Sequence, residues 1–424
     1  MLNKIKYHTR NAIILCLSLP STIVAMVRFK ISFLKHRNDP NTGIGLIVDD
    51  LNSGGLENIV MNLYKGYREN GRPSYVIISN NNVSRYIDAL EDDPRQFQIL
   101  YTNRARLLNY CRVNKIYTLH YHFSTFSMKL AHFLGIKTIY TIHNTYVWFT
   151  PRMWRKLKRS LKKCDHLVAV SDFAKDFFAQ KTGFKNISTI TNGVDIKQIQ
   201  SNLQNTDNDQ NRKAYKFSPN DHVIAMVSSF SEQKYHLSLI GAMEKLFQEN
   251  SCDPKNTKVL MCGPVLDKKI FKKVNQAVKK SPFSKNFIIG EPIKPTEIGT
   301  FLKNVPNLIV APSLYEGGVP PLLIVEALIC NVPVIMTDLG ISGGPFAKYI
   351  QTVPTACPNL SALDIKGIRK IVYSKKSSNI NELSNKINEV IDNPKQYAPD
   401  LPSSLLSALD TSTMVKNYLK LINS

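Results

Sequence analysis

Short apolar runs rich in valine and isoleucine alternate with stretches of helical periodicity along most of the chain. The first series of runs is 43–51, 74–79, 97–102, 115–122, 137–144, 166–171 and 187–193. Continuous apolar runs of this length are typical of strands that are covered on both faces, so they predict a parallel sheet. Intervening segments such as LENIVMNLYKGY and DFAKDFFAQ have the spacing of amphipathic helices.

The same alternation restarts in the second half of the chain. Its apolar runs are 222–229, 258–263, 286–290, 307–313 and 333–338. Between the two series, 200–215 is polar and lacks apolar periodicity, which favours a linker or an irregular connection. Two β/α halves of similar size predict an α/β protein with two doubly wound domains facing a cleft. Ligands of such sheets bind beyond the carboxyl ends of the strands.

These patterns divide the 424 residues into consecutive segments. We expect an N-terminal arm at 1–40, a first domain at 41–200, a linker at 201–215, a second domain at 216–395 and a C-terminal helix at 396–424. The amphipathic TMVKNYLKLI predicts the last helix.

The N-terminal arm combines an apolar run, AIILCLSLPSTIVAMV at 12–27, with cations on both sides. A membrane-spanning helix usually needs about 20 apolar residues, and Pro20 interrupts this run. Cations on both flanks favour insertion at a membrane surface. A single span, a core helix and a signal peptide stay open, although no clear A-x-A cleavage site follows.

The net charge of +23 calls for an acidic partner: nucleic acid, anionic lipid or a phosphorylated ligand. Seven cations lie at 152–163, where a helix would place Met153, Leu157, Leu161 and Cys164 on one apolar face. Such a helix is either solvated or a surface for membrane lipids and their phosphates. Nucleic-acid binding without catalysis is disfavoured, because the chain has no aromatic-rich basic strand or zinc module. Seven scattered cysteines without a C-x-x-C pair indicate a reducing compartment.

Several polar residues follow the predicted strands of the first half. Gly54 and Gly55 precede a helix whose first N–H groups can face an anion, although a plain tight turn also explains them. His143 ends a strand, where a lone histidine is commonly structural. The spacing of His120 and His122 is compatible with a metal, but no third ligand is apparent, so we predict no metal site. The Asp-Asn-Asp triplet at 207–209 is treated as chance.

The second half contains the segments SSFSEQKYH (228–236) and PSLYEGGVPPLLIVEALICNVPVI (312–335). Lys234 is either a phosphate ligand or a solvated lysine. In the longer segment a strand runs into a glycine turn and then a helix that we expect to start at its prolines. The N–H groups of Gly317, Gly318 and Val319 are available to ligand oxygens, while Glu316 and Glu326 can accept hydroxyl hydrogen bonds from a sugar and a ribose. The simpler alternative is a connection with solvated glutamates.

Five segments together resemble, in order, the family 4 retaining glycosyltransferases of the GT-B fold, including enzymes of capsule and lipopolysaccharide synthesis. These segments are the Gly54–Gly55 turn, TIHNTY, HLVAVSDFAKDFF with TNGVD, SSFSEQK, and EGG…E followed by ALICNVPVI. The resemblance implies two Rossmann-like domains around a cleft. The first 40 residues lie outside it.

The resemblance also implies the roles of the candidate residues. Lys234 would bind the diphosphate of a nucleotide-sugar, the 317–319 amides its oxygens, Glu316 the donor sugar and Glu326 the ribose. His143 and the Gly54–Gly55 turn would close over the transferred sugar. His143, Glu316 and Lys234 would be the catalytic residues. The leaving phosphate oxygen would take the acceptor's proton, so retention needs neither a protein nucleophile nor a metal. No cofactor is implied, because the nucleotide-sugar is a substrate.

Two departures from the family pattern affect the donor site. Nine residues separate Glu316 from Glu326, where the family usually has seven, so the turn is two residues longer. Ser229 stands where the family commonly has an arginine, which removes one cation from the diphosphate site. A charge-assisted hydrogen bond contributes about 1.5–3 kcal/mol.

The expected function is sugar transfer from a nucleotide-sugar to a glycan, polyprenyl-linked or otherwise lipid-linked, in surface polysaccharide assembly. We expect a cytoplasmic protein that is peripheral on the inner face of the cell membrane and that does not use nucleic acid as a partner. The alternative is a nucleotide-sugar epimerase of GT-B-like fold, which would need acid and base groups around the sugar and no second substrate.

Overall fold

The computed structural model describes residues 20–36, 39, 41–49, 55–79, 97–99, 103–204, 212–357, 365–372 and 379–424. Gly54, the apolar residues 12–19 and the 207–209 triplet therefore lie outside the described residues. The described part forms two parallel sheets with helices on both faces, and this confirms the predicted GT-B architecture of two doubly wound domains.

The first sheet has seven strands in the order β3-β2-β1-β4-β5-β6-β7. They are β1 (Gly43–Val48), β2 (Ser74–Ile78), β3 (Phe97–Ile99), β4 (Ile116–His122), β5 (Lys137–Ile142), β6 (His166–Ala169) and β7 (Ser188–Thr189). All neighbours pair in parallel. The interior strand β1 is buried along its whole length, because helices cover both faces of the sheet.

The helices around this sheet begin with α1 (20–36), whose first residues follow the undescribed part of the arm. The others are α2 (Gly55–Glu69), α3 (Arg104–Val113), α4 (Met128–Phe133), α5 (Pro151–Leu161), α6 (Asp172–Thr182) and α7 (Ile196–Gln204). Helix α7 continues into the stretch that was predicted to be an irregular linker, so that prediction is wrong for 200–204. Residues Ile196 and Ile199 of α7 pack into an apolar cluster of the second domain, which explains why this polar-looking segment is helical.

The second sheet has six parallel strands in the order β10-β9-β8-β11-β12-β13. They are β8 (His222–Val227), β9 (Thr257–Cys262), β10 (Phe287–Gly290), β11 (Leu308–Ala311), β12 (Val334–Thr337) and β13 (Gln351–Val353). The apolar pattern missed β13, a short edge strand with two polar residues. It also made most strands too long, mainly because the predicted runs extend into the loops at the carboxyl edge of the sheet.

The helices of the second half pack mainly on this sheet, except for the last one. They are α8 (described at 212–214), α9 (His236–Gln248), α10 (Lys268–Lys280), α11 (Ile298–Asn304), α12 (Leu322–Ile329), α13 (Ile365–Val372), α14 (Ile380–Asp392), α15 (Pro394–Tyr397), α16 (Ser403–Leu409) and α17 (Thr411–Asn423).

Helix α17 returns to the first domain and packs on α2. Met414, Val415 and Tyr418 join the apolar cluster of β1 and α2. A Cβ on Gly66 of α2 would lie 2.4 Å from a Val415 methyl group, so the glycine permits this close approach. The two segments that connect the domains lie side by side. The Val194 amide donates to the Leu409 carbonyl at 2.9 Å, and the Thr411 amide donates to the Val194 carbonyl at 3.0 Å.

Helix α1 has two apolar faces, one packed on the protein and one exposed. One face carries Ala25 and Phe29, which are buried against the first domain. Lys30 fixes the helix by donating to the Leu134 carbonyl at 3.3 Å. The other face exposes Ile23, Val24, Val27, Ile31 and Leu34. None of the helices in the described ranges has the length and apolar character that would let it cross a membrane.

Candidate functional site

The candidate residues lie at the carboxyl ends of strands in both sheets, where the two domains face each other. His143 follows β5 directly, Lys234 ends a 3₁₀ turn after β8 (Glu232–Lys234), and Glu316 begins the glycine turn after β11. Parallel strands end at one edge of a sheet, so this placement follows from the topology. The two domains therefore present these side chains to the same cleft.

Glu316 is buried and fully engaged by the loop after β8. The Lys234 ammonium donates to Glu316 Oε1, and Gln233 Nε2 donates to Glu316 Oε2 at 2.9 Å. The Leu314 amide donates to the Gln233 carbonyl at 2.9 Å, which fastens the backbones of the two loops together. A buried carboxylate of this kind is stable only when it is paired and hydrogen-bonded. The pair fixes the lysine at the cleft.

The glycine turn is in direct contact with the first domain. Ser171 Oγ donates to the Gly317 carbonyl at 2.5 Å. A Cβ on Gly317 would lie 1.8 Å from the His143 carbonyl oxygen, and one on Gly318 would lie 3.4 Å from Asn192 Nδ2. Only a glycine fits between Glu316 and the first domain. The turn predicted to bind the donor is thus also a point where the domains touch.

Ser171 and Asn192 belong to this site although the sequence assigned them no role. Ser171 caps α6, because its Oγ accepts from the Ala174 amide at 3.1 Å while donating to Gly317. Ser171 lies in SDFAK and Asn192 in TNGVD, two segments that resemble the family. This resemblance was the sequence feature from which their place in the site could have been predicted. Gly55, at the start of α2, also faces the second domain, since its Cβ position is 3.6 Å from Leu322 Cδ1.

The His143 ring is held by two aromatic neighbours. His122 Nδ1 and His143 Nε2 are 2.8 Å apart, within hydrogen-bonding distance. The Phe123 ring stacks on His143 with centroids 6.0 Å apart and an interplanar angle of 13°. Burial lowers the pKa of His143 to about 3. The side chain is half-buried, and at neutral pH it is an uncharged imidazole.

His120 and His122 are fully buried, and both rings lie within hydrogen-bonding distance of neighbouring side chains. His120 Nδ1 is 3.1 Å from the Tyr67 hydroxyl, and His120 Nε2 is 2.7 Å from Thr141 Oγ1. Thr141 Oγ1 lies 3.0 Å from the Tyr418 hydroxyl of α17. Burial holds the pKa of both imidazoles well below the usual value. No three His, Cys, Asp or Glu side chains are grouped as metal ligands in the described ranges.

Glu326 is on the helix after the glycine turn. α12 begins at Leu322, after both prolines, rather than at the prolines as predicted. Glu326 is therefore its fifth residue and still lies in the second turn. The side chain is half-buried, its carboxylate accepts no hydrogen bond from the described residues, and burial raises its pKa to about 7. A carboxylate in this state is available to a ligand that donates hydrogen bonds.

Two family models match the sequence, and together they span both domains. Residues 53–198 match the model described as Glycosyltransferase Family 4, and residues 207–351 match the model described as Glycosyl transferases group 1. The two matches together span more than half of the chain. This chain belongs to the GT-B glycosyltransferases. A search of curated proteins finds no match to the sequence.

Solved structures share the fold of this glycosyltransferase at low sequence identity. Anabaena Alr3699/HepE in complex with UDP and glucose is 15% identical with a TM-score of 0.70, covering 90% of this chain and 99% of that one. A glycosyltransferase from Rickettsia africae is 19% identical with a TM-score of 0.65 (90% and 98% covered). WaaG, a glycosyltransferase involved in lipopolysaccharide biosynthesis, is 12% identical with a TM-score of 0.57 (88% and 94% covered).

The remaining candidate residues of this glycosyltransferase line the same loops. Ser229 is half-buried two residues after the end of β8, and Gly263 approaches it so closely that a Cβ there would lie 3.1 Å from the Ser229 amide nitrogen. Val319 packs on the apolar cluster beneath the glycine turn. Arg369 of α13 reaches the turn that contains Lys234, where its Nε donates to Glu232 at 2.7 Å.

Helix α5 of the glycosyltransferase buries Leu157 and Leu161 but leaves Met153 41% exposed, so the predicted apolar face is only partly covered. Thr150 caps the helix by accepting from the Met153 amide at 3.3 Å. Its outer side and α4 enclose a concavity of about 560 Å³. The concavity is lined by Lys129, Arg152, Arg155, Lys156, Arg159 and Ser160. None of these cations forms an ion pair with a carboxylate of the described residues.

Proposed function

We propose that this glycosyltransferase transfers a sugar from a nucleotide-sugar to a lipid-linked glycan with retention of the anomeric configuration. The observation that carries the proposal is the contact of the Glu316–Gly317–Gly318 turn, with Lys234 bound to Glu316, against His143 of the other domain. A donor bound there meets residues from both domains. HepE has been captured with UDP-glucose, and WaaG has a role in lipopolysaccharide biosynthesis.

The diphosphate would be bound by Lys234 and by backbone amides of the glycine turn. A lysine ammonium has three donors, and one of them is taken by Glu316, so two are left for phosphate oxygens. Glu316 thus positions the cation, and the pair as a whole is neutral. The N–H groups of Gly318 and Val319 would add donors that cost no side-chain entropy. In this scheme the diphosphate is bound by hydrogen bonds from the ammonium and the amides.

Glu326 would accept the two ribose hydroxyls. Its carboxylate lies on α12 without a hydrogen bond from the described residues, and the raised pKa means that it is only partly ionised near neutral pH. Hydroxyl donors from a ribose would stabilise the ionised form. Donor binding is therefore coupled to loss of a proton from Glu326.

The reaction itself would depend on electrostatic stabilisation. As the bond from the sugar to the phosphate breaks, negative charge develops on the diphosphate beside Lys234 and the turn amides. The departing phosphate oxygen takes the proton of the attacking acceptor hydroxyl, and attack occurs from the same face of the sugar. His143 is neutral at the operating pH and would hold a sugar oxygen by a hydrogen bond. No protein nucleophile, cofactor or metal takes part in this scheme.

The acceptor would be anchored in an anionic membrane leaflet, which the protein binds from the cytoplasmic side. The exposed apolar face of α1 supports this, since five large apolar side chains there lack cover from the described residues. The five cations around the α4–α5 concavity complement lipid phosphates. Both features belong to the first domain, which would bind the acceptor. The proposed role is in surface polysaccharide assembly, which would use such a lipid-linked acceptor.

The test is a screen of nucleotide-sugars for thermal stabilisation, because a ligand that binds only the native state raises the melting temperature. The donor found in this way is then incubated with and without membrane lipids carrying a glycan. Transfer only with the added acceptor supports the proposal, and product stereochemistry reports retention. Isomerised donor without acceptor would indicate the epimerase instead, which no observed feature of the site favours. Absence of stabilisation by every nucleotide-sugar would refute the donor site.

A further inference from the structure

The donor site contains a second histidine, His122, that has no assigned role. It is the last residue of β4 and is completely buried. Its Nδ1 lies 2.8 Å from Nε2 of His143, and its Nε2 is buried without a hydrogen-bond partner in the part of the chain that the structure describes. The inference below rests on the proposed function, in which His143 contacts the donor sugar.

The ring of His122 is fixed from several directions. His120 packs against it with ring centroids 4.1 Å apart, and both nitrogens of His120 are engaged by hydroxyl groups. The next residue, Phe123, adopts a left-handed backbone conformation with φ of 60° and places its ring flat on His143. A bulky residue adopts this conformation only where its surroundings enforce it. The imidazole pair therefore has little freedom to rotate.

A single proton lies between the two imidazoles, because both rings are neutral and share one hydrogen bond. If His143 Nε2 carried that proton, His122 Nδ1 would be the acceptor, and the neutral His122 ring would have to carry its own proton on Nε2. That N–H group would be buried without an acceptor. Buried N–H groups without a partner are rarer in native proteins than acceptors with unused lone pairs. The proton is thus better placed on His122 Nδ1, and His143 must then carry its own proton on Nδ1.

We propose that His122 is a positioning residue that fixes His143 as the Nδ1–H tautomer, so that His143 presents a hydrogen-bond donor to an oxygen of the donor sugar. The Nδ1 atom of His143 makes no hydrogen bond with the described residues, the side chain is half-buried, and the backbone carbonyl of the same residue lies against the glycine turn. The N–H group that donates the hydrogen bond is then fixed before the sugar binds, which lowers the reorganisation needed in the reaction. Without His122, His143 would exchange between tautomers and ring orientations.

The direct test is the ring-nitrogen spectrum of the ligand-free protein labelled with ¹⁵N-histidine, with His143 assigned from the spectrum of His143→Gln. The expected result is a protonated Nδ1 and an unprotonated Nε2 on His143. The opposite assignment would overturn the proposal. This measurement needs no substrate, so it succeeds or fails independently of whether the protein is a glycosyltransferase, which the nucleotide-sugar screen decides.

A matched set of variants tests the functional consequence. His122→Asn places an amide N–H where Nδ1 stood, whereas His122→Gln places its amide near the former Nε2 and His122→Leu has no donor. We expect kcat for nucleoside diphosphate release from the donor found in the screen to fall about tenfold to a hundredfold in His122→Leu and His122→Gln. His122→Asn should retain most of the activity, and thermal stabilisation by UDP or the matching diphosphate should be unchanged in all three.

Equal losses in His122→Asn and His122→Leu, or normal kcat in a folded His122→Leu, would contradict the positioning role. If His122→Leu does not fold, the comparison of His122→Asn with His122→Gln and the spectrum of the unmodified protein still decide the matter.

Discussion

Lys234 and Glu316 form an ion pair in which 19% and 8% of the respective side chains are exposed, and this pair joins the loop after β8 to the glycine turn after β11. The two residues are 82 positions apart in the chain. Gln233 donates to the second carboxylate oxygen, so Glu316 keeps a partner even when the ammonium turns towards a ligand. The pair therefore gives the second domain a lysine that is held at the cleft before any substrate binds.

Replacing Lys234 by alanine should lower both stability and turnover. Glu316 would remain buried with only the Gln233 hydrogen bond, and breaking a buried pair from one side costs about 3–5 kcal/mol when nothing compensates. We expect a loss of about 2–3 kcal/mol in the free energy of unfolding, measured by urea denaturation. The rate of diphosphate release should fall by at least a hundredfold, because the charge on the leaving group loses its cation.

The control for this experiment is Lys294→Ala, which breaks a pair with Glu297 whose side chains are 76% and 59% exposed. Exposed pairs contribute about 0–1 kcal/mol, so this variant should behave as the unmodified protein. The double variant Lys234→Ala with Glu316→Gln should recover part of the lost stability. If Lys234→Ala releases diphosphate at a normal rate, another cation serves the diphosphate.

Gly317→Ala should disrupt the contact between the domains. Its Cβ would meet the His143 carbonyl oxygen at 1.8 Å and the carbonyl carbon at 2.6 Å, and backbone atoms cannot rotate away. The domains would have to separate, so we expect at least a tenfold loss of transfer activity. Each domain keeps its own core, and the melting temperature without ligand should change little. Gly343→Ala is the matched control, since nothing lies within 4 Å of its Cβ position. Normal activity of Gly317→Ala would mean that this contact does not form in the working enzyme.

The fold was largely predictable because long valine and isoleucine runs identify strands that are buried on both faces. β13 was missed because Gln351 and Thr352 break that pattern at the edge of the sheet. The last helix was predicted from its periodicity, but an apolar face does not say which domain it packs on. Only the structure shows α17 on α2 of the first domain, with Tyr418 bonded to Thr141.

The candidate site was predictable residue by residue only where a segment resembles a family motif. By that route Lys234, Glu316 and the glycine turn were expected near strand ends, and the structure has them in the loops after β8 and β11, but their roles stay predictions. Contacts between segments were not predictable. Ser171 reaches Gly317 across 146 residues, and His122 reaches His143 across a strand pairing, so neither has a signature in local sequence.

Stability should depend on Glu326 in the pH range 4.5–7. Burial raises its pKa from 4.5 to about 7, so the folded protein binds more protons than the unfolded chain in this window. The free energy of unfolding therefore falls as pH rises from about 4.5 through 7. Glu326→Gln removes this dependence and should be more stable than the unmodified protein above pH 7 by about 1–2 kcal/mol, after allowance for partial solvation.

Glu326→Gln should also weaken donor binding, because an amide has one acceptor oxygen where the carboxylate has two and lacks the charge that strengthens both hydrogen bonds. Calorimetry between pH 6 and 8 should show affinity of the unmodified protein rising with pH as the carboxylate ionises, whereas the variant should show weak binding that does not change with pH. Unchanged affinity in Glu326→Gln would remove the ribose role from this residue while leaving the stability prediction intact.

The exposed face of α1 should determine membrane binding. Ile23, Val27 and Ile31 are 55%, 55% and 54% exposed, while Phe29 on the opposite face is completely buried. Deleting the arm would therefore uncover the core of the first domain, so substitutions on the outer face are the sharper test. Glutamine is a good helix former, and Ile23→Gln, Val27→Gln and Ile31→Gln together should leave the fold intact. Burial of an aliphatic side chain contributes about 1.5–3 kcal/mol, so even partial burial of three predicts at least a hundredfold loss of affinity for vesicles containing phosphatidylglycerol.

Leu266→Gln, which changes a side chain of the second domain that is 70% exposed, should bind these vesicles normally. Added salt should weaken binding of the unmodified protein through the cations of α5. Vesicle binding by the triple variant equal to that of Leu266→Gln would show that α1 does not enter the membrane surface.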